Sequence, residues 1–209
     1  MPDWFRRTSW TEGDKAEFEA KLGRARRSSR GQYVRIQGVH LAEAGLHREA
    51  AELFERVLAE FPEPLEIAPA LSGLGQSLLA LGQREPALDA MRRCVLRERE
   101  YPNVKTDAWL EFAFIVASLD VRDLFEEARG VLLEHDAQES QMIFPLQRFK
   151  LHASRAILAG TSDVAAMEAA AALREAARSD SGLRYHGKLG LVGDEFAGIK
   201  IRLRGIVGG

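Results

Sequence analysis

Apolar side chains recur at steps of three and four residues along most of the chain, and no segment alternates strictly between apolar and polar positions. That spacing is typical of amphipathic helices, whereas strands require a period of two. Glycine, proline and short polar turns separate the apolar stretches. The pattern therefore predicts an all-α protein whose helices come in consecutive pairs, at 32–44 with 47–60, 68–81 with 84–100, 106–120 with 123–135, and 143–159 with 162–178.

The two ends of the chain differ from this paired pattern. Thr11 and Asp14 have the spacing of a helix cap, so we expect a first helix that runs to about Arg27. The arm before that helix should pack on it through three aromatic side chains, Trp4, Phe5 and Trp10. After many glycines, Asp194 should begin a short last helix. The chain thus divides into an N-terminal arm and helix, an array of helix pairs, and a C-terminal tail or capping helix, at 1–30, 31–180 and 181–209.

Three of the helix pairs share small and apolar residues at a fixed spacing. Their central alanines, Ala50, Ala87 and Ala128, are separated by 37 and 41 residues. The first unit has steps of 4, 3, 9, 4 and 8 between Val34, Gly38, Leu41, Ala50, Phe54 and Pro62. The second unit keeps the first four steps with Leu71, Gly75, Leu78, Ala87 and Met91. The third keeps the same four but loses the glycine, with Phe112, Val116, Leu119, Ala128 and Leu132.

These steps resemble the tetratricopeptide (TPR) repeat, in which small residues let two helices approach and an aromatic side chain fills the remaining space. The resemblance is close over 31–102, weaker over 106–140 and loose beyond. It implies a right-handed α-solenoid of about three to four helix-turn-helix repeats, with an N-terminal helix and a C-terminal capping segment. Arginine outnumbers lysine by 23 to 6, which is typical of a GC-rich bacterial genome.

The overall composition excludes several classes of protein. The 209 residues carry a formal charge of −2, which argues against a general nucleic-acid binder despite the basic stretch at 21–30. No run of 18 apolar residues occurs, so no membrane span is expected, and the polar first 30 residues do not have the pattern of a signal peptide. The single cysteine, Cys94, excludes an internal disulfide and a multi-cysteine zinc site. These observations predict a cytoplasmic protein.

Few residues have the spacing of a catalytic or cofactor site. The sequence has no GxSxG, P-loop, GxGxxG or HExxH motif. His40, Glu43 and His47 have spacings seen in metal sites, but Gly45 lies between them at a predicted turn. Cys94 lies at an apolar small-residue position, which should raise its pKa and make it unreactive. We therefore expect no enzyme activity, no cofactor and no metal, and an enzyme or a metal protein is the less favoured alternative.

The resemblance implies that the first helix of each pair lines a concave groove. The candidate binding residues on these helices are Gln32, Arg35, Gln76, Arg148, His152 and Arg155, with Val39 and Glu43 beside them. Arginine pairs with carboxylates in a two-pronged geometry, so an acidic segment is one ligand these positions would accept. The carboxylate clamp known in the family pairs lysine with asparagine. Val39 stands in the asparagine position, so that clamp is not expected in this chain.

The sequence thus predicts a non-enzymatic scaffold or adaptor that binds a protein or peptide in the groove. The alternative is an immunity- or inhibitor-type protein that neutralises one specific partner through the same surface. A homo-oligomer formed through an exposed apolar helix face is a further alternative.

Overall fold

The structure is a computed structural model that describes residues 3–208, and the regular secondary structure in that range is entirely helical. It contains ten α-helices there: α1 (Glu12–Arg24), α2 (Arg27–Glu43), α3 (His47–Glu60), α4 (Pro64–Ala80), α5 (Arg84–Glu100), α6 (Ala108–Ser118), α7 (Phe125–Glu134), α8 (Pro145–Ala159), α9 (Asp163–Ala176) and α10 (Ala197–Gly208). Short 3₁₀ helices lie at Arg122–Leu124, Asp136–Gln141 and Asp194–Phe196. The prediction of an all-α protein is confirmed.

Two helices begin earlier than the spacing of apolar residues predicts. α4 begins at Pro64 rather than at residue 68, because proline is well suited to a first turn, where its missing N–H needs no partner. α2 begins at Arg27 rather than at residue 32, because the chain is extended at Ala25, with ψ of 154°. The basic stretch is therefore divided between the end of α1 and the start of α2.

The chain forms two compact units, the first ending at Ala108 and the second beginning at Trp109. In the first unit, α2 packs against α3, α3 against α4, and α4 against α5, and α2 also contacts α4. Consecutive helices are thus neighbours in space, as the paired pattern predicts. The finer proposal, that the pairs form a regular superhelix, is taken up below.

The same turn closes the first helix of three successive pairs. After α2, the N–H groups of Gly45 and Leu46 donate to the carbonyls of Ala42 and Leu41 at 3.0 and 2.8 Å, and Gly45 has a φ of 81°. This is the Schellman geometry, which favours a residue with positive φ. Gly82 occupies that position after α4, with a φ of 75°.

The third pair keeps this turn although its sequence has no glycine there. The N–H groups of Asp120 and Val121 donate to the carbonyls of Ala117 and Val116 at 3.3 and 3.0 Å. Asp120 has a φ of 55°, a conformation that aspartate tolerates better than most residues do. The turn predicted near residues 120–122 is confirmed, and aspartate replaces the glycine of the other pairs.

Glycines in α2 and α4 leave space for one buried aromatic ring. Phe54 of α3 is fully buried. A Cβ built on Gly38 would lie 3.0 Å from the Phe54 Cε1 atom, and one built on Gly73 would lie 2.4 Å from the Cζ atom. The same ring therefore packs α2 against α3 within the first pair and α3 against α4 of the next pair. In the second pair, a Cβ on Gly75 would lie 2.8 Å from the Met91 Cε atom.

The N-terminal arm packs on α1, as predicted, and it also contacts α2. Trp4 and Trp10 each lie with their ring centroids 5.3 Å from that of Phe18. Gln37 of α2 is buried and binds the arm through both the oxygen and the nitrogen of its side-chain amide. Its Oε1 accepts from the Arg7 N–H at 3.0 Å, and its Nε2 donates to the Arg7 carbonyl at 2.8 Å. These bonds fix the backbone of the arm against α2.

The predicted cap of α1 is present. The Asp14 N–H donates to the Thr11 hydroxyl at 3.2 Å, and the Thr11 N–H donates to the Asp14 carboxylate at 2.9 Å. The Thr11 backbone N–H is the main reason that the pKa of Asp14 is lowered to about 2. The capping box is therefore formed in full.

In the second unit, α8 packs against α9 and α7, and α10 packs against α8 and α9. The predicted last helix is confirmed as α10, which follows the short 3₁₀ helix that begins at Asp194. Its Leu203 is buried and its Ile201 is exposed. Phe196 packs against Phe114 and Phe149, with ring centroids 5.7 and 5.4 Å away. Between residues 3 and 208, no helix is both long and apolar enough to cross a membrane.

We predict that Gly73→Ala lowers the free energy of unfolding by about 1–3 kcal/mol, because the added methyl group overlaps the Phe54 ring. Gly23→Ala is the matched control. Apart from its chain neighbours and the backbone of its own helix, nothing lies within 4 Å of its Cβ position. This substitution should therefore be neutral or raise the free energy of unfolding by up to about 1 kcal/mol. Chemical denaturation of both variants checks this. Equal stability of the two variants would contradict the packing described for Phe54.

Candidate functional site

A cavity of about 280 Å³ lies on the surface that α2 and α4 share. It is lined by residues of three helices, namely Val39, Ala42 and Glu43 of α2, His47 and Phe54 of α3, and Gly73, Gln76 and Ser77 of α4. All of them belong to the first unit. The cavity volume lies just below the range of about 300–1,000 Å³ that is typical of small-molecule sites, so it can hold one large side chain.

The cavity exists because small residues occupy the facing positions of α2 and α4. Ala42, Gly73 and Ser77 contribute little volume, and α3 lies behind them. The Phe54 ring lies against Gly73, where an added Cβ would be 2.4 Å from its Cζ atom. The glycine required for close packing of α3 and α4 is thus also part of the cavity wall.

Two buried polar atoms of this cavity have no partner in the described part of the chain. They are the Nδ1 atom of His47 and the hydroxyl oxygen of Ser77. Ser77 is 0% exposed. Buried polar atoms in folded proteins nearly always make a hydrogen bond, because leaving one unpaired is costly. Both atoms keep a hydrogen-bonding capacity that the chain itself does not use.

The rim of the cavity carries one carboxylate. The side chain of Glu43 is 65% exposed, and one of its oxygens lies 3.1 Å from the Nδ1 atom of His40. Gln76 is also exposed. The cavity thus combines an apolar floor, two unpaired buried polar atoms and an anionic rim.

Two other cavities lack this combination of apolar surface and unpaired buried polar atoms. One in the first unit, of about 740 Å³, is lined by Arg56, whose guanidinium group binds Glu19 and Glu60. One in the second unit, of about 240 Å³, is lined by Arg155 and Glu168. None of the unpaired buried atoms found between residues 3 and 208 belongs to the lining of either. The cavity between α2 and α4 is therefore the candidate site.

The sequence-predicted residues of the first unit divide between this cavity and other surroundings. Gln76 lines the cavity together with Val39 and Glu43. Arg35 instead binds Glu66 of α4, with 2.5 Å between its Nε and the carboxylate oxygen. Gln32 is exposed on α2 and is not among the lining residues.

The predicted residues of the second unit all contact partners within that unit. Arg148 donates to the Met142 carbonyl at 2.7 Å. The His152 Nδ1 atom lies 2.6 Å from a Glu168 oxygen. Arg155 binds acids of the 3₁₀ segment at 2.6 and 2.7 Å, namely Glu139 and Asp136. An acidic ligand of Arg155 would have to displace these two carboxylates.

Five cavity residues are absent from the sequence-based binding set, namely Ala42, His47, Phe54, Gly73 and Ser77. The sequence contains little signal for the polar ones: Ser77 is one of two serines in the long apolar stretch of α4, and His47 stands out only for its metal-like spacing from His40 and Glu43. His47 follows a turn, so its position beside α4 depends on how α3 packs.

Cys94 lies in a second polar cluster, near the end of α5. Its thiol donates to the Ala68 carbonyl at 3.1 Å, and burial raises its pKa to about 12. Glu98 is also buried, and its Oε1 accepts from the N–H and the hydroxyl of Thr106 at 2.7 and 2.6 Å. The carboxylate thus fixes the loop that precedes α6. The expectation of a raised thiol pKa is confirmed.

The described residues contain no group of three or more histidine, cysteine, aspartate or glutamate side chains placed to hold a metal ion. His40 and Glu43 contact each other on α2, whereas His47 begins α3.

Comparison with known proteins adds no further assignment. No protein-family model matches the sequence, and no curated protein or solved structure matches it. The functional inference therefore depends on the site geometry.

We predict that Arg35→Glu and Glu66→Arg each lower the free energy of unfolding by about 1 kcal/mol, because each places like charges side by side at a half-buried position. The double variant should recover part of the loss, with a coupling of about 0.5 kcal/mol or more. Additive losses in a double-mutant cycle would show that the pair does not contribute to stability.

We also predict that the native protein reacts slowly with a thiol reagent at about pH 8. Raising the pKa from 9.0 to about 12 lowers the thiolate fraction on the order of a thousandfold, and burial adds to this. The chain unfolded in guanidinium chloride is the control and should react at the rate of a free cysteine. Fast labelling of the folded protein would mean that Cys94 is accessible and activated.

Proposed function

We propose that this protein is a non-enzymatic interaction module that binds a peptide segment of a protein partner on the shared face of α2 and α4. In this proposal, 31–102 forms two TPR-like repeats, and the array continues into the later helix pairs as a solenoid. Consecutive packing of α2 to α5, the repeated Schellman turns and the glycine contacts of Phe54 support it.

The observation that carries the proposal is the cavity between α2 and α4. These are the first helices of two successive pairs, and in TPR-like arrays such helices line the binding groove. The cavity has the size of one side chain, and it contains two buried polar atoms without partners in the described chain. A peptide could place one side chain in this cavity while its backbone lies along the two helices.

Cys94 bears on where such a module acts. The sequence has a single cysteine, which is buried and free, and the proposal assigns the module to a reducing compartment such as the cytoplasm. The proposal therefore places the partner in the same reducing compartment.

We predict that filling the cavity weakens peptide binding. Peptides selected from a random library on the purified protein should bind Ala42→Arg at least about tenfold more weakly by fluorescence anisotropy, because the new side chain occupies the cavity that anchors them. Ala59→Arg is the matched control, since Ala59 is exposed on α3 away from the cavity lining, and its affinity should be unchanged.

Two results would contradict the proposal: a library that yields no binding peptide, or selected peptides that bind Ala42→Arg as tightly as the unmodified protein. Circular dichroism of each variant verifies that the fold is retained.

A further inference from the structure

We propose that the cavity between α2 and α4 recognises a basic side chain, a lysine or arginine of the partner peptide. This inference rests on the proposed function and specifies the chemistry of its ligand. The polar atoms of the cavity support it.

Every polar side chain that lines the cavity can accept a hydrogen bond. Glu43 supplies carboxylate oxygens, and Ser77 supplies a buried hydroxyl oxygen without a partner among the described residues. The unpaired Nδ1 atom of His47 accepts when the ring carries its proton on the other nitrogen. An ammonium or guanidinium group offers three to five donors and no acceptor, so it matches this set of atoms.

The charge of the lining favours the same ligand. Glu43 is the one carboxylate among the described lining residues, and that lining contains neither lysine nor arginine. A carboxylate ligand would face Glu43, and the only basic side chain among the described lining residues is His47. The end of α2 and the start of α3 meet at Glu43 and His47, so their opposite helix-dipole ends lie side by side and largely cancel.

The shape of the cavity fits the stem of such a side chain. Val39 and Ala42 are partly exposed and provide apolar surface, and the buried Phe54 ring also borders the cavity. Lysine and arginine carry three or four methylene groups before the charge, and they commonly lay this stem along apolar surface while the charged end stays near water. Glu43 lies at the exposed rim, and a charged end there would compete with His40, which is 3.1 Å from one of its oxygens.

The test uses small probes, because the partner is not identified. The blocked amino-acid amides of lysine, arginine, norleucine and glutamate are titrated into the isotope-labelled protein, and backbone amide shifts are followed by NMR. Norleucine has the apolar stem of lysine without the charge. We expect saturable shifts at Gly73, Gln76 and Ser77 with the lysine or arginine probe, at least about threefold tighter than with norleucine.

Variants separate the contribution of the charge from that of the fold. Glu43→Gln should remove the preference for the basic probes over norleucine, and Ser77→Ala should weaken the basic probes by about threefold or more. Glu55→Gln, at an exposed position of α3 outside the lining, is the matched control and should leave the preference intact.

Equal binding of norleucine, or tighter binding of the glutamate probe, overturns the basic-side-chain inference. If peptides selected on the protein are nevertheless blocked by Ala42→Arg, the interaction module stands with a different anchor. If Ala42→Arg blocks nothing and no probe shifts the cavity amides, both proposals are wrong. An unchanged preference in Glu43→Gln would also overturn the role of the rim carboxylate.

Discussion

The contact between one aromatic ring and two glycines is the constraint on which the rest of the first unit depends. Phe54 lies against Gly38 of α2 and Gly73 of α4, so one side chain sets the spacing of three helices. Neither glycine position has room for a Cβ atom without movement of the ring. Because protein interiors are close-packed and hard to deform, this arrangement fixes how consecutive helix pairs stack.

The cavity lies beside that contact. Gly73 and Phe54 both line it, and Ala42 and Ser77 contribute little volume to its wall. A small-residue surface of this kind would normally be closed by larger apolar side chains. In this protein it contains buried polar atoms without partners in the described chain, and a carboxylate lies at its rim. Packing and the proposed recognition thus depend on the same few residues.

Much of the fold could be predicted from the sequence, because helices and their turns are set by local spacing. The paired pattern, the capping box at Thr11 and the last helix near Asp194 all depend on residues close together in the chain. The starts of α2 and α4 could not be predicted as well, since apolar spacing alone does not show where an amphipathic helix begins. In the third pair, aspartate replaces the usual glycine at Asp120.

The candidate site could be predicted only in part. Helical spacing placed Gln76, Val39 and Glu43 on one face, and they do line one cavity. The contacts of the predicted arginines could not be derived from local spacing, because their partners lie on other structural elements. Arg35 binds Glu66 of α4, and Arg155 binds Glu139 of a 3₁₀ segment. His47 and Ser77 become recognisable only when burial and hydrogen bonding are known for each atom.

The most direct test of this account is a nuclear Overhauser measurement on the folded protein. Specifically labelled phenylalanine and glycine would show which α-protons lie near the ring of Phe54. The account predicts strong cross-peaks from this ring to both Gly38 and Gly73, since the ring is closest to these two glycines. A cross-peak to Gly38 without one to Gly73 would show that consecutive pairs do not stack through this ring.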